Sequence, residues 1–111
     1  MEYKKHSLTS TGKDAVFTEI WFEVSTARVF GTEVIGFEIY DTDDSSRSKT
    51  ARQVRRTLRS MKEKGLIQFF ATADSFADSA PEAEFLKNKY PHLSDEFICE
   101  RDSTELLLVK L

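Results

Sequence analysis

Apolar and polar positions alternate over AVFTEIWFEV, residues 15–24. Val16, Ile20, Phe22 and Val24 share one parity, with Glu19 and Glu23 on the other. A period of two is the mark of a half-buried strand. The pattern therefore predicts a strand that continues through Val29 and turns at Gly31-Thr32. EVIGFEIYD, residues 33–41, predicts a second strand with Ile35, Phe37 and Ile39 inward, and the two read as a long β-hairpin. The period then changes. DTDDSS supplies side-chain oxygens and acids suited to a helix start. From about Ser48 to Lys64 the apolar residues Ala51, Val54, Leu58 and Met61 fall on one stripe at helical spacing, with Gly65 as a suitable residue just past the end. LIQFFATA predicts a third strand, apolar enough to be central. DSFADS reads as loop. Ser79 with Glu82 forms a capping-box pattern for a short helix through Phe85, Leu86 and Lys89 that Pro91 ends. EFICER and TELLLVKL predict a closing hairpin around Asp102-Ser103.

The predicted order is ββαβαββ. It implies an α+β fold, a two-layer sandwich with a mainly antiparallel sheet of about five strands on two helices. Residues 1–13 are polar and aperiodic, so they are expected as a flexible N-terminal arm before a single domain spanning 14–111.

Composition narrows the class. With 111 residues, 40% apolar and 32% charged, the chain suits one soluble globular domain. The single cysteine, Cys99, cannot form an internal disulfide, and the start of the chain lacks the apolar core of a signal peptide. A reducing, cytoplasmic home is expected. No apolar run approaches the roughly 20 residues of a membrane span, so no membrane association is expected.

Charge changes the picture most. Residues 47–64 hold eight Lys and Arg against one acid, a net +7, in a chain whose total is −3; the remainder is therefore −10. Arg52, Arg55, Arg56, Arg59 and Lys62 fall opposite the apolar stripe of the helix. Like charges at i, i+3 and i+4 repel by a few tenths of a kcal/mol per pair, and Glu at some of these positions would turn repulsion into attraction. Guanidinium forks match phosphate and carboxylate oxygens. The face is the expected binding site for an acidic protein surface or a polyanion, nucleic acid included. The plain alternative is a solvated face whose charges are met by the protein's own acids, Asp41, Asp43 and Asp44 among them.

TARQVRRTLRSMKEKGLIQFF, residues 50–70, resembles the recognition-helix end of a winged helix-turn-helix followed by its wing strand. That resemblance covers about 21 residues and implies DNA readout through this helix. It departs upstream, where the family has two further helices and this sequence predicts a hairpin. Asp41, Asp43 and Asp44 in FEIYDTDDS resemble the Asp-x-Asp of haloacid dehalogenase-type phosphotransferases. The resemblance implies a nucleophilic and an acid/base carboxylate, over four or five residues only. As an EF-hand loop the same stretch fails, with Ser46 at the glycine position and Arg52 at the bidentate glutamate position. Helix capping accounts for these acids without further chemistry.

Phe17 and Trp21 on the first predicted strand, Tyr40 on the second, and Leu66 and Phe70 by the third lie on the parity opposite the predicted core. If they adjoin, they form an apolar patch, an expected homodimer interface or an aromatic small-molecule pocket. LLLV, residues 106–109, is apolar on both parities and points to burial on two sides. His6 lies in the polar arm, His92 in a turn, and Cys99 alternates with Phe97 as a structural thiol would. No glycine-rich phosphate loop or metal-ligand spacing is present, so no cofactor or metal is expected. The sequence is best read as a non-enzymatic accessory protein. Its alternatives are a nucleic-acid-binding protein and a small enzyme or ligand carrier with an aromatic pocket.

Overall fold

Val16, Ile20, Val24 and Ala27 are fully shielded from solvent, and their spacing of four, four and three wraps one face of a helix rather than a strand. The computed structural model describes residues 2–93 and 103–111. In it, helix α1 spans Lys13–Val29, where the alternating pattern predicts a strand. A spacing of four satisfies both periods. Phe22, counted inward by parity, is instead 65% exposed on the outer face of α1. The N-terminal residues, expected as an arm, form strand β1 (Tyr3–Ser7). β1 runs parallel to β2 (Val34–Tyr40), and α1 is the crossover that such a pair requires.

Helix α2 spans Asp44–Glu63. It starts about one turn earlier than the sequence predicts because Asp43 caps it, its carboxylate accepting from the Ser45 and Ser46 amides at 2.9 and 3.4 Å. The predicted stripe Ala51, Val54, Leu58 and Met61 is buried. Gly65 ends the helix at φ +73°, a conformation natural only to glycine. Strand β3 is short, Phe69–Ala71, and lies at the sheet edge rather than in its centre. DSFADS is not all loop: α3 spans Ala73–Ala77, closed by a capping box between Thr72 and Ser75. α4 covers Pro81–Lys89 with Pro81 in its first turn. Ser79 does not cap α4. It sits at φ +53° in the turn between the two helices, one residue outside the N-cap Ala80. A 3-10 turn at Pro91–Leu93 follows, and β4 spans Thr104–Lys110. The segment EFICER, predicted as a strand, lies outside the described residues.

The sheet is mixed, of four strands in the order β1-β2-β4-β3, with β4 antiparallel to both its neighbours. The expected five-stranded, mainly antiparallel sheet on two helices is thus corrected to four described strands and four described α-helices. Its two layers are also corrected, because both faces are covered. On one face Ile35, Phe37, Ile39, Leu107 and Val109 meet the apolar stripes of α1 and α2. On the other, Val34, Leu106 and Leu108 meet Leu86, Tyr90 and Leu93 of α4 and the 3-10 turn. The two-sided burial predicted for LLLV is observed: Leu106, Leu107, Leu108 and Val109 are all buried. Gly36 in β2 allows Tyr3 of β1 to lie over the sheet. A Cβ at this position would collide with Tyr3 Oη and approach the Tyr3 ring and Leu108 to 3.1 and 3.2 Å. No helix among the described residues is long and apolar enough to cross a membrane.

Candidate functional site

Burying the apolar stripe of α2 against the sheet fixes which way its cations point. Arg52, Arg56, Arg59 and Lys62 are all exposed. Arg55 is half-buried and reaches Glu105 of β4 at 3.7 Å. Arg47, one turn before the cluster, is occupied: its guanidinium contacts Asp44 at 2.6 Å and donates to the Asp41 carbonyl at 2.7 Å. Among the described residues no ion pair holds Arg52, Arg56, Arg59 or Lys62. Of the five predicted contact residues, carboxylates among the described residues therefore meet one, Arg55. The remaining four form a continuous cationic strip along one side of the helix, where each residue has a like-charged neighbour three or four positions away.

Beside this strip lies a cleft of about 360 Å³ between the first turns of α1 and the middle of α2. Lys13 and Phe17 line it from α1, and Gln53, Arg56 and Thr57 from α2. Arg56 belongs to both the cleft and the strip. Phe17 is 43% exposed and its ring sits 5.7 Å from that of Trp21, tilted by 46°. The Gln53 side-chain oxygen is buried without a hydrogen-bond partner among the described residues, whereas Thr57 Oγ1 donates to the Gln53 backbone carbonyl at 3.1 Å. Lys13, Gln53 and Thr57 escape the sequence reading. With a strand predicted from Ala15 and Lys13 assigned to the arm before it, nothing brings Lys13 and Phe17 together against α2.

The aromatic face predicted from Phe17, Trp21, Tyr40 and Phe70 does not exist as one surface. Phe17 and Trp21 are on α1, not on the sheet. Trp21 and Phe70 pack against the core between the helices and the sheet. Tyr40 is 65% exposed at the end of β2, on the parity opposite the inward Phe37 and Ile39. The mistaken strand put side chains from two layers onto one face.

The remaining chemistry-bearing groups have structural ties. Asp43 caps α2, and Asp41 accepts the Asp43 amide at 2.9 Å. His6, expected in a loose arm, is held on β1 between Glu19 and Glu23 of α1, at 2.5 and 3.5 Å. The Glu19 carboxylate is displaced furthest. Burial would raise its pKa, but donors from Ser10, His6 and Thr9 outweigh burial and hold it down at about 2. On the opposite face, burial and the Glu33 carboxylate push Tyr90 up to about 12; its hydroxyl donates to Glu33 at 3.0 Å. Burial, with Lys89 nearby, lowers Lys110. His92 pairs with Glu2 at 3.2 Å. Cys99 lies outside the described residues. Among the described residues, no group of three or more His, Cys, Asp or Glu side chains is arranged to hold a metal ion.

The helix that resembles a winged helix-turn-helix reader is preceded by strand β2 rather than by an orienting helix. The likeness therefore ends with the segment that carries it. The chain matches no family model, and no curated protein or solved structure matches it.

Proposed function

We propose that this protein works by binding rather than catalysis, and that the outer face of α2 docks an extended polyanion. The observation that carries the reading is the strip Arg52, Arg56, Arg59 and Lys62, exposed and without an intramolecular ion pair among the described residues. Arg55 lies beside it and becomes available if its contact with Glu105 opens. Mutual repulsion along such a strip is relieved by a row of phosphates or sulfates, whose bound counterions are released on contact. The acidic remainder of the chain disfavours indiscriminate adsorption and orients the molecule as it approaches. A cytoplasmic setting belongs to the same reading.

The test is anisotropy with labelled duplex DNA and single-stranded RNA over a salt series, with solution mass measured in parallel. Four phosphate contacts give a slope of log affinity against log salt of about −3 to −4. Reversing the strip in the variant Arg52→Glu, Arg56→Glu, Arg59→Glu, Lys62→Glu is expected to abolish binding while leaving the circular dichroism spectrum intact. Equal binding by the wild type and this variant would overturn the proposal. Loss of self-association instead, with no nucleic-acid binding by either protein, would assign the strip to an acidic surface on a second copy.

A further inference from the structure

We infer that the cleft between α1 and α2 is a binding site for a small organic anion with a flat apolar body and an N–H donor. The site is distinct in chemistry from the strip beside it. Its volume, about 360 Å³, is within the range of small-molecule pockets, and its lining joins one aromatic ring, Phe17, to polar and charged side chains whose carbon stems supply further apolar surface. Each feature of the ligand answers a feature of the cleft. Phe17 leaves nearly half its surface open and is backed by Trp21, so it offers a supported ring face against which a planar body can stack. Gln53 Oε1 is buried and has no hydrogen-bond partner among the described residues. A buried acceptor left without a donor destabilises the protein, and a ligand N–H removes that cost. Lys13 and Arg56 line the cleft and have no ion pair among the described residues, against one carboxylate, Asp14. Two cations to one acid leave the site positive, which selects an anionic head.

Water can also satisfy an amide oxygen, so the test must separate a ligand site from a hydrated notch. The full chain, labelled with nitrogen-15, is titrated with two probes that share the inferred chemistry and differ in the anion. Adenosine 5′-monophosphate carries a phosphate, and indole-3-acetate a carboxylate. At least one is expected to give saturable shifts confined to residues 13–18 and 53–60, and the one that saturates identifies the head. Gln53→Leu removes the acceptor at similar volume and Phe17→Ala removes the stacking face; each is expected to weaken binding by about tenfold or more. Gln53→Leu is expected to fold at least as stably as wild type, so loss of binding there is not loss of structure. Reversing Arg52 and Arg59, which lie outside the cleft, is expected to weaken probe binding less than either cleft variant at 0.15 M salt, because it removes no contact with the probe. No saturation by either probe at millimolar concentration would overturn the inference, as would shifts that survive Gln53→Leu and Phe17→Ala but vanish with Arg52 and Arg59. The same two cleft variants retain the strip, so their nucleic-acid binding reports on the polyanion proposal independently.

Discussion

Replacing Glu19 with glutamine should remove a defined part of the acid sensitivity of folding. Its carboxylate joins β1, the following loop and α1. The amides of Thr9 and Ser10 donate to it at 3.1 and 2.9 Å, the Thr9 hydroxyl at 3.2 Å, and His6 Nε2 at 2.5 Å. An ionised carboxylate only accepts, so His6 carries its proton on Nε2 in this contact. The Glu19 side chain is only 12% exposed, so solvent screening is weak. Its pKa falls from 4.5 to about 2, and at about 1.4 kcal/mol per unit this corresponds to about 3 kcal/mol. A depressed carboxylate stabilises the fold fully above its unfolded pKa and loses that contribution as pH falls through the folded value. The loss therefore occurs between about pH 4.5 and pH 2. Urea unfolding at pH 7, 4 and 2.5 for wild type and Glu19→Gln gives the comparison, because the other carboxylates are common to both proteins. The variant is expected to be less stable by up to about 3 kcal/mol at pH 7, with the gap closing toward pH 2. For a domain whose total stability is about 5–15 kcal/mol, that is a large fraction. A gap that stays constant over the whole range would show that the ionised form is not what the donors around Glu19 recognise.

Asp43→Ala removes the cap of α2 and should cost about 1 kcal/mol, read as a shift of the urea midpoint, with Asp43→Asn recovering most of it. Gly36→Ala drives a methyl group against Tyr3 and Leu108. A loss of about 1–3 kcal/mol is expected, and Tyr3→Ala in the same chain should relieve part of it. Tyr90 is neutral in its contact with Glu33, and its pKa is raised from 10.0 to about 12. The group contributes stability below pH 10 that is lost as pH rises through 12. Absorbance titration at 295 nm should show a phenolic step near 12 that Tyr90→Phe removes.

How much of this was legible depends on whether the residues admit one period or two. Ala51, Val54, Leu58 and Met61 fit only a helix, and α2 with its outward cations could be read in advance. Val16, Ile20 and Val24 are four apart, which is even, so they fit a strand as well as a helix. Ala27, on the wrong parity yet buried, is the residue that breaks the tie. The same error hid the cleft, since only a helix over these residues turns Lys13 and Phe17 toward the middle of α2. The apolar run LIQFFATA, with Phe69 and Phe70 adjacent, predicts a central strand where β3 lies at the edge of the described sheet. Their apolarity reports instead that the sheet is covered on both faces: Phe70 packs toward the core beneath α1 and α2, and Phe69 meets Phe85 of α4 edge-on at 5.5 Å. The sequence puts His6 in a loose arm because a polar five-residue strand carries almost no periodic signal. It is fixed by partners in α1 that only tertiary contact supplies.

The strand order β1-β2-β4-β3 sets the sequence of events during synthesis. When β3 leaves the ribosome, its partner among the described strands is still missing, because the slot between it and β2 awaits β4, about thirty residues further along the chain. Until residue 110 emerges, the sheet pairing available among the described strands is the parallel β1–β2 unit, with α1 and α2 beside it. The apolar surfaces of β2 and β3 that will flank the missing strand stay open to chaperones and to one another across molecules.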